Sequence, residues 1–155
     1  MESLFKSVAN LPNVPRNIIF DFTPLLHLLL FISLENDLSG MASTVMMYLK
    51  TKATRKRILK CDSEENIRYL ISKEDKRQDK VLPLIKQFDF GCSDISDKTL
   101  AVLSKILAVE AVNFEFCSNI SRGALADFFH RQNDLKYISL KGLQSVDLNV
   151  SKIEH

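Results

Sequence analysis

Phe88-Asp-Phe-Gly-Cys92-Ser-Asp-Ile95-Ser-Asp-Lys-Thr-Leu100 returns downstream as Val112-Asn-Phe-Glu-Phe-Cys117-Ser-Asn-Ile120-Ser-Arg-Gly-Ala-Leu125, with the two cysteines 25 residues apart. A period of this size marks stacked units, none of which can bury its apolar face alone. A degenerate third copy follows, Leu135-Lys-Tyr-Ile138-Ser-Leu140-Lys-Gly-Leu143-Gln-Ser-Val146. In it Ile138 and Leu140 take the places of Val112 and Phe114, and Leu143 stands where Cys117 stood. Stacked units of this kind bind partners more often than they perform chemistry.

Each copy reads as strand, turn and helix. Phe88 and Phe90, Val112 and Phe114, and Ile138 and Leu140 alternate with polar neighbours, so each pair points into a core from a short strand. Cys92 and Cys117 turn the chain as small buried residues, and Ile95, Ile120 and Val146 plug the turns. A returning helix then carries Leu100, Leu103, Ile106 and Leu107 in the first copy and Leu125, Phe128 and Phe129 in the second. Those spacings of three and four put the apolar residues on one helical face. The expected fold class is α/β, with parallel strands, outer helices and a helical N-terminal region.

The cysteine-containing subtype of leucine-rich repeat has an alternating apolar strand followed by Cys-x-x-Ile-(Ser/Thr)-Asp-x-x-Leu. Cys92 to Leu100 resembles it at every defined position, and Cys117 to Leu125 departs from it only at Arg122. The resemblance covers residues 82 to 148 and implies a short solenoid whose neighbouring units share one core. Residues 81–155 then hold about three repeats, the last incomplete, because nine residues after Val146 are too few for a returning helix. Either Leu148, Val150 and Ile153 fold back over that end, a partner covers it, or the chain is a shortened product of a longer one.

Residues 1–80 read as helical. A short helix around Ser3 to Ala9 ends at the prolines 12 and 15, and Pro24 opens an apolar helix containing Leu25, Leu26, Leu28, Leu29, Leu30 and Ile32. Asn36-Asp37 caps a second helix, through about Leu49, with Leu38, Met41, Ala42, Val45 and Leu49 on its inner face. Asp62-Ser-Glu-Glu65 caps a third, carrying Ile67, Leu70 and Ile71, and Lys73 to Lys80 forms an exposed helix or connector.

Residues 23–50 resemble a divergent F-box, through Pro24, Leu29, Leu30, Asp37-Leu38, Val45, Tyr48 and Lys50, with Thr23 where that motif has Leu. Followed by repeats of this subtype, the resemblance implies a substrate-recognition subunit of a cullin-type ubiquitin ligase, cytoplasmic or nuclear. Leu25, Leu29, Leu30 and Leu38 would anchor a Skp-type adaptor, in the way a few buried residues dominate helix-in-groove contacts. The same leucines suit a second role, capping the open end of the first repeat. A ubiquitination substrate would meet the outward strand positions Asp89, Asn113, Glu115, Ser139 and Lys141. The repeats also resemble, in general pattern, stand-alone assembly factors such as the mitochondrial coupling-factor B family.

Composition is that of an ordinary soluble domain: 155 residues, 46% hydrophobic, 26% charged, net charge +2. That charge alone does not call for a polyanionic partner. Residues 50–60 nevertheless hold six basic side chains, a solvated helix end or a binding site for nucleic acid or an anionic surface. Without interleaved aromatics the segment lacks a base-stacking platform, which disfavours nucleic acid. Cys61, Cys92 and Cys117 have neither disulfide-framework nor zinc spacing, so no metal or cofactor is expected. His27, His130 and His155 have no partners at catalytic spacing, and no phosphate loop occurs, so no catalytic residues and no enzyme activity are expected. The longest apolar stretch, 18–34, is interrupted by Asp21, Pro24 and His27 and falls short of a membrane span. No secretory signal is expected from the acidic start Met1-Glu2.

Overall fold

The computed structural model describes residues 20–33, 41–76 and 80–143. Its architecture is α/β: a four-stranded parallel sheet in the order β1-β2-β3-β4, with six α-helices among the described residues. A helical turn at 20–22 leads into α1 (Leu25–Ser33) and then α2 (Met41–Leu49) and α3 (Lys52–Arg55). Then β1 (Ile58–Lys60), α4 (Glu64–Lys76), β2 (Gln87–Asp89), α5 (Asp97–Ile106), β3 (Ala111–Asn113), α6 (Arg122–His130) and β4 (Tyr137–Ser139) alternate. A 3-10 turn, Leu82–Leu84, precedes β2.

Register follows the apolar positions. Leu59, Phe88, Val112 and Ile138 lie side by side across the sheet, in steps of 29, 24 and 26 residues. The ladder runs one residue past each strand: the N–H groups of Cys61, Phe90 and Phe114 donate to the carbonyls of Asp89, Asn113 and Ser139 at 2.7 to 2.9 Å. Parallel strands need a crossover, and α4, α5 and α6 supply it, packing in the same order as the strands they join. Leu59, Phe88, Val112, Phe90 and Phe114 are buried with Leu100, Leu103, Leu125 and Phe128 of those helices in one core. The rings of Phe90 and Phe114 stack at 5.3 Å, and Phe128 meets Phe114 edge-on at 5.5 Å.

Three differences from the sequence reading have physical causes. First, the region expected to be helical up to residue 80 contains β1, at the end of the basic run. Leu59 and Cys61 are buried at the alternate spacing of Phe88 and Phe90, so Ile58-Leu59-Lys60-Cys61 begins a further strand-and-helix unit with α4. Within that unit Glu74, expected in an exposed stretch, is buried, and its carboxylate accepts the N–H groups of Val81 and Leu82.

Second, Cys92 and Cys117 are not structural equivalents. Left-handed backbone occurs at Cys92 (φ 61), Phe116 (φ 57) and Gly142 (φ 73), in step with the strands. These are the corresponding turn residues, and the next positions, Ser93, Cys117 and Leu143, are the buried ones. Cys92 is therefore exposed, contrary to its expected burial, and Ser93 occupies the Cys117 position. The second turn holds one extra residue before its plug, Ile120, and so the helices repeat at 25 although the strands repeat at 24.

Third, the inner row expected to point into the core is less buried in β4, where Ile138 is 42% exposed and Leu140 half-buried. The N-terminal helix at 3–9, the cap at 36–37, Leu38, and the C-terminal Val146, Leu148, Val150 and Ile153 lie outside the described residues.

Candidate functional site: the open strand face

The helices cover one face of the sheet and leave two rows of side chains on the other. Register places Lys60, Asp89, Asn113 and Ser139 in one row and Ile58, Gln87, Ala111 and Tyr137 in the next. Of the five outward residues read from the sequence, four are joined by side-chain hydrogen bonds. Asn113 Nδ2 donates to Asp89 Oδ1 at 2.8 Å, and the Ser139 hydroxyl donates to the Glu115 carboxylate. Each strand end is also locked locally: the Gly91 N–H donates to Asp89 Oδ1 at 2.9 Å, and the Glu115 N–H to Asn113 Oδ1 at 2.8 Å. These are the short Asx links by which such side chains hold a turn. Lys141 is exposed beside them, its carbonyl accepting from the Phe116 N–H at 2.9 Å.

Gly91 is required by this arrangement. A Cβ there would lie 2.9 Å from Asn113 Nδ2 and 3.0 Å from Asp89 Oδ1, displacing the pair. Gly142 does the corresponding work under Phe116, whose ring would lie 2.3 Å from an added Cβ.

The row containing Ile58, Gln87, Ala111 and Tyr137 was not singled out by the sequence reading. With Asp89, Asn113, Ser139 and Lys136 it lines a groove of about 440 Å³. Small Ala111 forms part of its lining between the large side chains of Ile58 and Tyr137, the latter 72% exposed. Lys136 Nζ, near the rim, pairs with Glu110 Oε2 at 3.0 Å, and that carboxylate pushes the lysine pKa up. The signal for this row was available: each member lies next to an inward-pointing residue, once strands of period two are accepted.

The proposed adaptor anchor is not brought together as a surface. Leu25 and Leu29 are buried in the common core, Leu30 is half-buried against it, and Leu38 lies outside the described residues. α1 packs on β1, α2 and α4, so its buried face covers the first edge of the sheet. The basic run is likewise divided. Arg57 turns inward, donating to the Phe20 and Thr23 carbonyls and to the Tyr48 hydroxyl, whereas Lys50, Lys52, Arg55 and Lys56 are exposed. Tyr48 donates to Asp21 Oδ1 at 2.6 Å, and burial first, then that hydrogen bond, raises its pKa.

Cys61 and Cys117 are buried and Cys92 is exposed. Burial raises the pKa of both buried thiols. Cys117 Sγ donates to the Phe90 carbonyl at 3.0 Å. His27 is half-buried and His130 exposed in the last turn of α6. Among the described residues no cluster of three or more His, Cys, Asp or Glu side chains is arranged to hold a metal ion, and no helix is long and apolar enough to cross a membrane. No family model, no curated protein and no solved structure matches this chain.

Proposed function

We propose that the chain is a non-catalytic protein-binding module: a short leucine-rich-repeat solenoid with a helical N-terminal cap, which takes a polypeptide partner on its open strand face. The observation that carries this reading is the pairing of Asp89 with Asn113 and Glu115 with Ser139 alongside Ile58, Ala111 and Tyr137. Polar groups held in advance lose little freedom when a partner binds, and adjacent exposed apolar side chains supply contact area. Short three-residue strands stacked in sequence order, each followed by a covering helix, support the repeat assignment.

Partner capture by the purified chain tests this, using Ala111→Trp to fill the groove and Asp127→Lys, on the exposed side of α6, as the control. A partner kept by wild type and Asp127→Lys but lost by Ala111→Trp is the expected result. A partner indifferent to Ala111→Trp overturns the strand-face assignment.

Within this reading, the F-box resemblance supports a role as the substrate receptor of a cullin-type ubiquitin ligase. The α1–α2 pair would then meet a Skp-type adaptor through Leu30 and residues outside the described range, since Leu25 and Leu29 are committed to the core. Direct binding of the adaptor, weakened by Leu30→Ser in a chain whose circular dichroism still matches wild type, is expected. A folded chain that ignores the adaptor sinks the ligase role and leaves the binding module standing.

A further inference from the structure

We propose that the end of the helical hairpin bearing Phe22, Met47 and α3 docks on a membrane surface rich in anionic lipid headgroups. Phe22, just before α1, is 86% exposed, and Met47, in the last turn of α2, is 73% exposed. Exposed singly, such side chains are ordinary, but these two belong to segments tied to a cationic one, and together they supply both halves of an amphipathic surface.

Hydrogen bonds show that the groups share one end of the molecule. Tyr48, near the end of α2, reaches Asp21 at 2.6 Å; Arg57, just after α3, reaches the Phe20 carbonyl at 2.9 Å; and Thr54 of α3 reaches the Tyr48 carbonyl at 3.1 Å. Segment 20–23, the end of α2 and α3 are thus tied together, and these segments carry Phe22, Met47, Lys52, Arg55 and Lys56, all exposed. Val45, Tyr48 and Leu49 hold the inner face of α2, which leaves Met47 on the opposite face, with exposed Ser43 one turn before and exposed Lys50 one turn after. Asp21, the acid nearest Phe22 in sequence, is engaged by the Tyr48 hydroxyl.

Charge and apolarity together select the occupant. An aromatic ring and a flexible thioether can enter the boundary between headgroups and acyl chains while Lys and Arg side chains meet anionic headgroups. A nucleic acid would ask instead for several ring faces in a cationic groove, and Met47 has none. Arg57, the most buried cation of the run, acts as the clamp that holds the surface together and is not itself part of it.

Vesicle co-sedimentation of the full chain tests the proposal, with phosphatidylcholine vesicles containing about 30 mol% phosphatidylserine, pure phosphatidylcholine vesicles, and poly(A) RNA at the same ionic strength. Two surface variants accompany it: Lys52→Glu/Arg55→Glu/Lys56→Glu and Phe22→Ser/Met47→Ser. Wild type is expected on the anionic vesicles alone, with binding at least about tenfold weaker for the charge variant. The apolar variant is expected to detach at a lower salt concentration than wild type. Equal binding to both vesicle types, no binding to either, or retention on RNA with vesicles ignored overturns the assignment. Circular dichroism matching wild type confirms that either variant has lost a surface and kept its fold.

Discussion

The turn after β2 and the turn after β3 start from nearly the same sequence and do different work. Both follow a buried phenylalanine, use a left-handed residue, and reach a buried isoleucine and then a serine that begins a helix. In the first, the cysteine is the left-handed residue and faces solvent; in the second, it follows that residue, is buried, and donates back to the previous unit at Phe90. The serines diverge too. Their side chains differ: the Ser121 hydroxyl accepts the Ala124 N–H at 3.2 Å and caps its own helix, while its backbone N–H donates to Asp97 of the preceding unit at 2.7 Å; the Ser96 hydroxyl itself donates to Glu64 of the preceding unit. One inserted residue has moved the cysteine from the exposed left-handed position to the buried one after it. Identical letters at a fixed spacing are therefore not proof of identical places.

The largest test of the comparison lies at the residues entering the turns. Phe114 stacks on Phe90 and takes edges from Phe128 and Phe129, so Phe114→Ala removes the ring that joins two units and a helix. A loss of about 3–5 kcal/mol is expected in denaturant unfolding. Ile138→Ala, at the half-exposed end of the inner row, should cost less than about 1 kcal/mol. Equal costs at the two positions would mean that the last unit is as well packed as the middle one.

The cysteines give the next, smaller contrast. Cys117→Ala removes a buried donor to the Phe90 carbonyl and should cost about 1–2 kcal/mol, while Cys92→Ser at the surface should stay within about 0.5 kcal/mol. Reactivity runs the other way. The thiolate is the nucleophile, and burial raises the pKa of Cys61 and Cys117, so native-state alkylation in mildly alkaline buffer should label Cys92 first. Peptide mass mapping that finds Cys117 labelled as fast as Cys92 would break the assignment of turn positions.

That exchange of cysteine positions also shows where the sequence is legible. Phe88, Phe90, Val112 and Phe114 could be placed because large apolar residues at period two have few alternatives to a buried strand face. Asp89, Asn113 and Ser139 then followed as their outward neighbours. The hydrogen bond between Asp89 and Asn113 could not be read, because it depends on interstrand register, which the inserted residue conceals. β1 was hidden for another reason: its three residues sit in a basic run with Ile58 exposed, so only Leu59 and Cys61 carried the strand signal. The leucines of α1 were visible as apolar, but apolarity does not say whether a helix faces its own core or a partner. The contacts of α1 with β1 and α4 place Leu25 and Leu29 in the core.

The smallest expected effect concerns the two serines. Ser121→Ala loses a helix cap and should cost about 1 kcal/mol at every pH, because the lost hydroxyl bonds only the Ala124 N–H and the backbone bond to Asp97 is kept. Ser96 instead acts through Glu64, whose carboxyl pKa is lowered by hydrogen bonds from Ser96 and then Thr99. A folded pKa below the unfolded one means the carboxylate stabilises the fold fully above the ordinary carboxylate value and loses that contribution as pH falls through the lowered value. The site is largely solvated, so the contribution is held to about 0.5 kcal/mol. Glu64→Gln should therefore lower stability slightly at neutral pH and flatten its decline as pH falls below the ordinary carboxylate range. A wild-type acid limb unchanged by Glu64→Gln would show that Ser96 is not coupled to the preceding unit through that carboxylate.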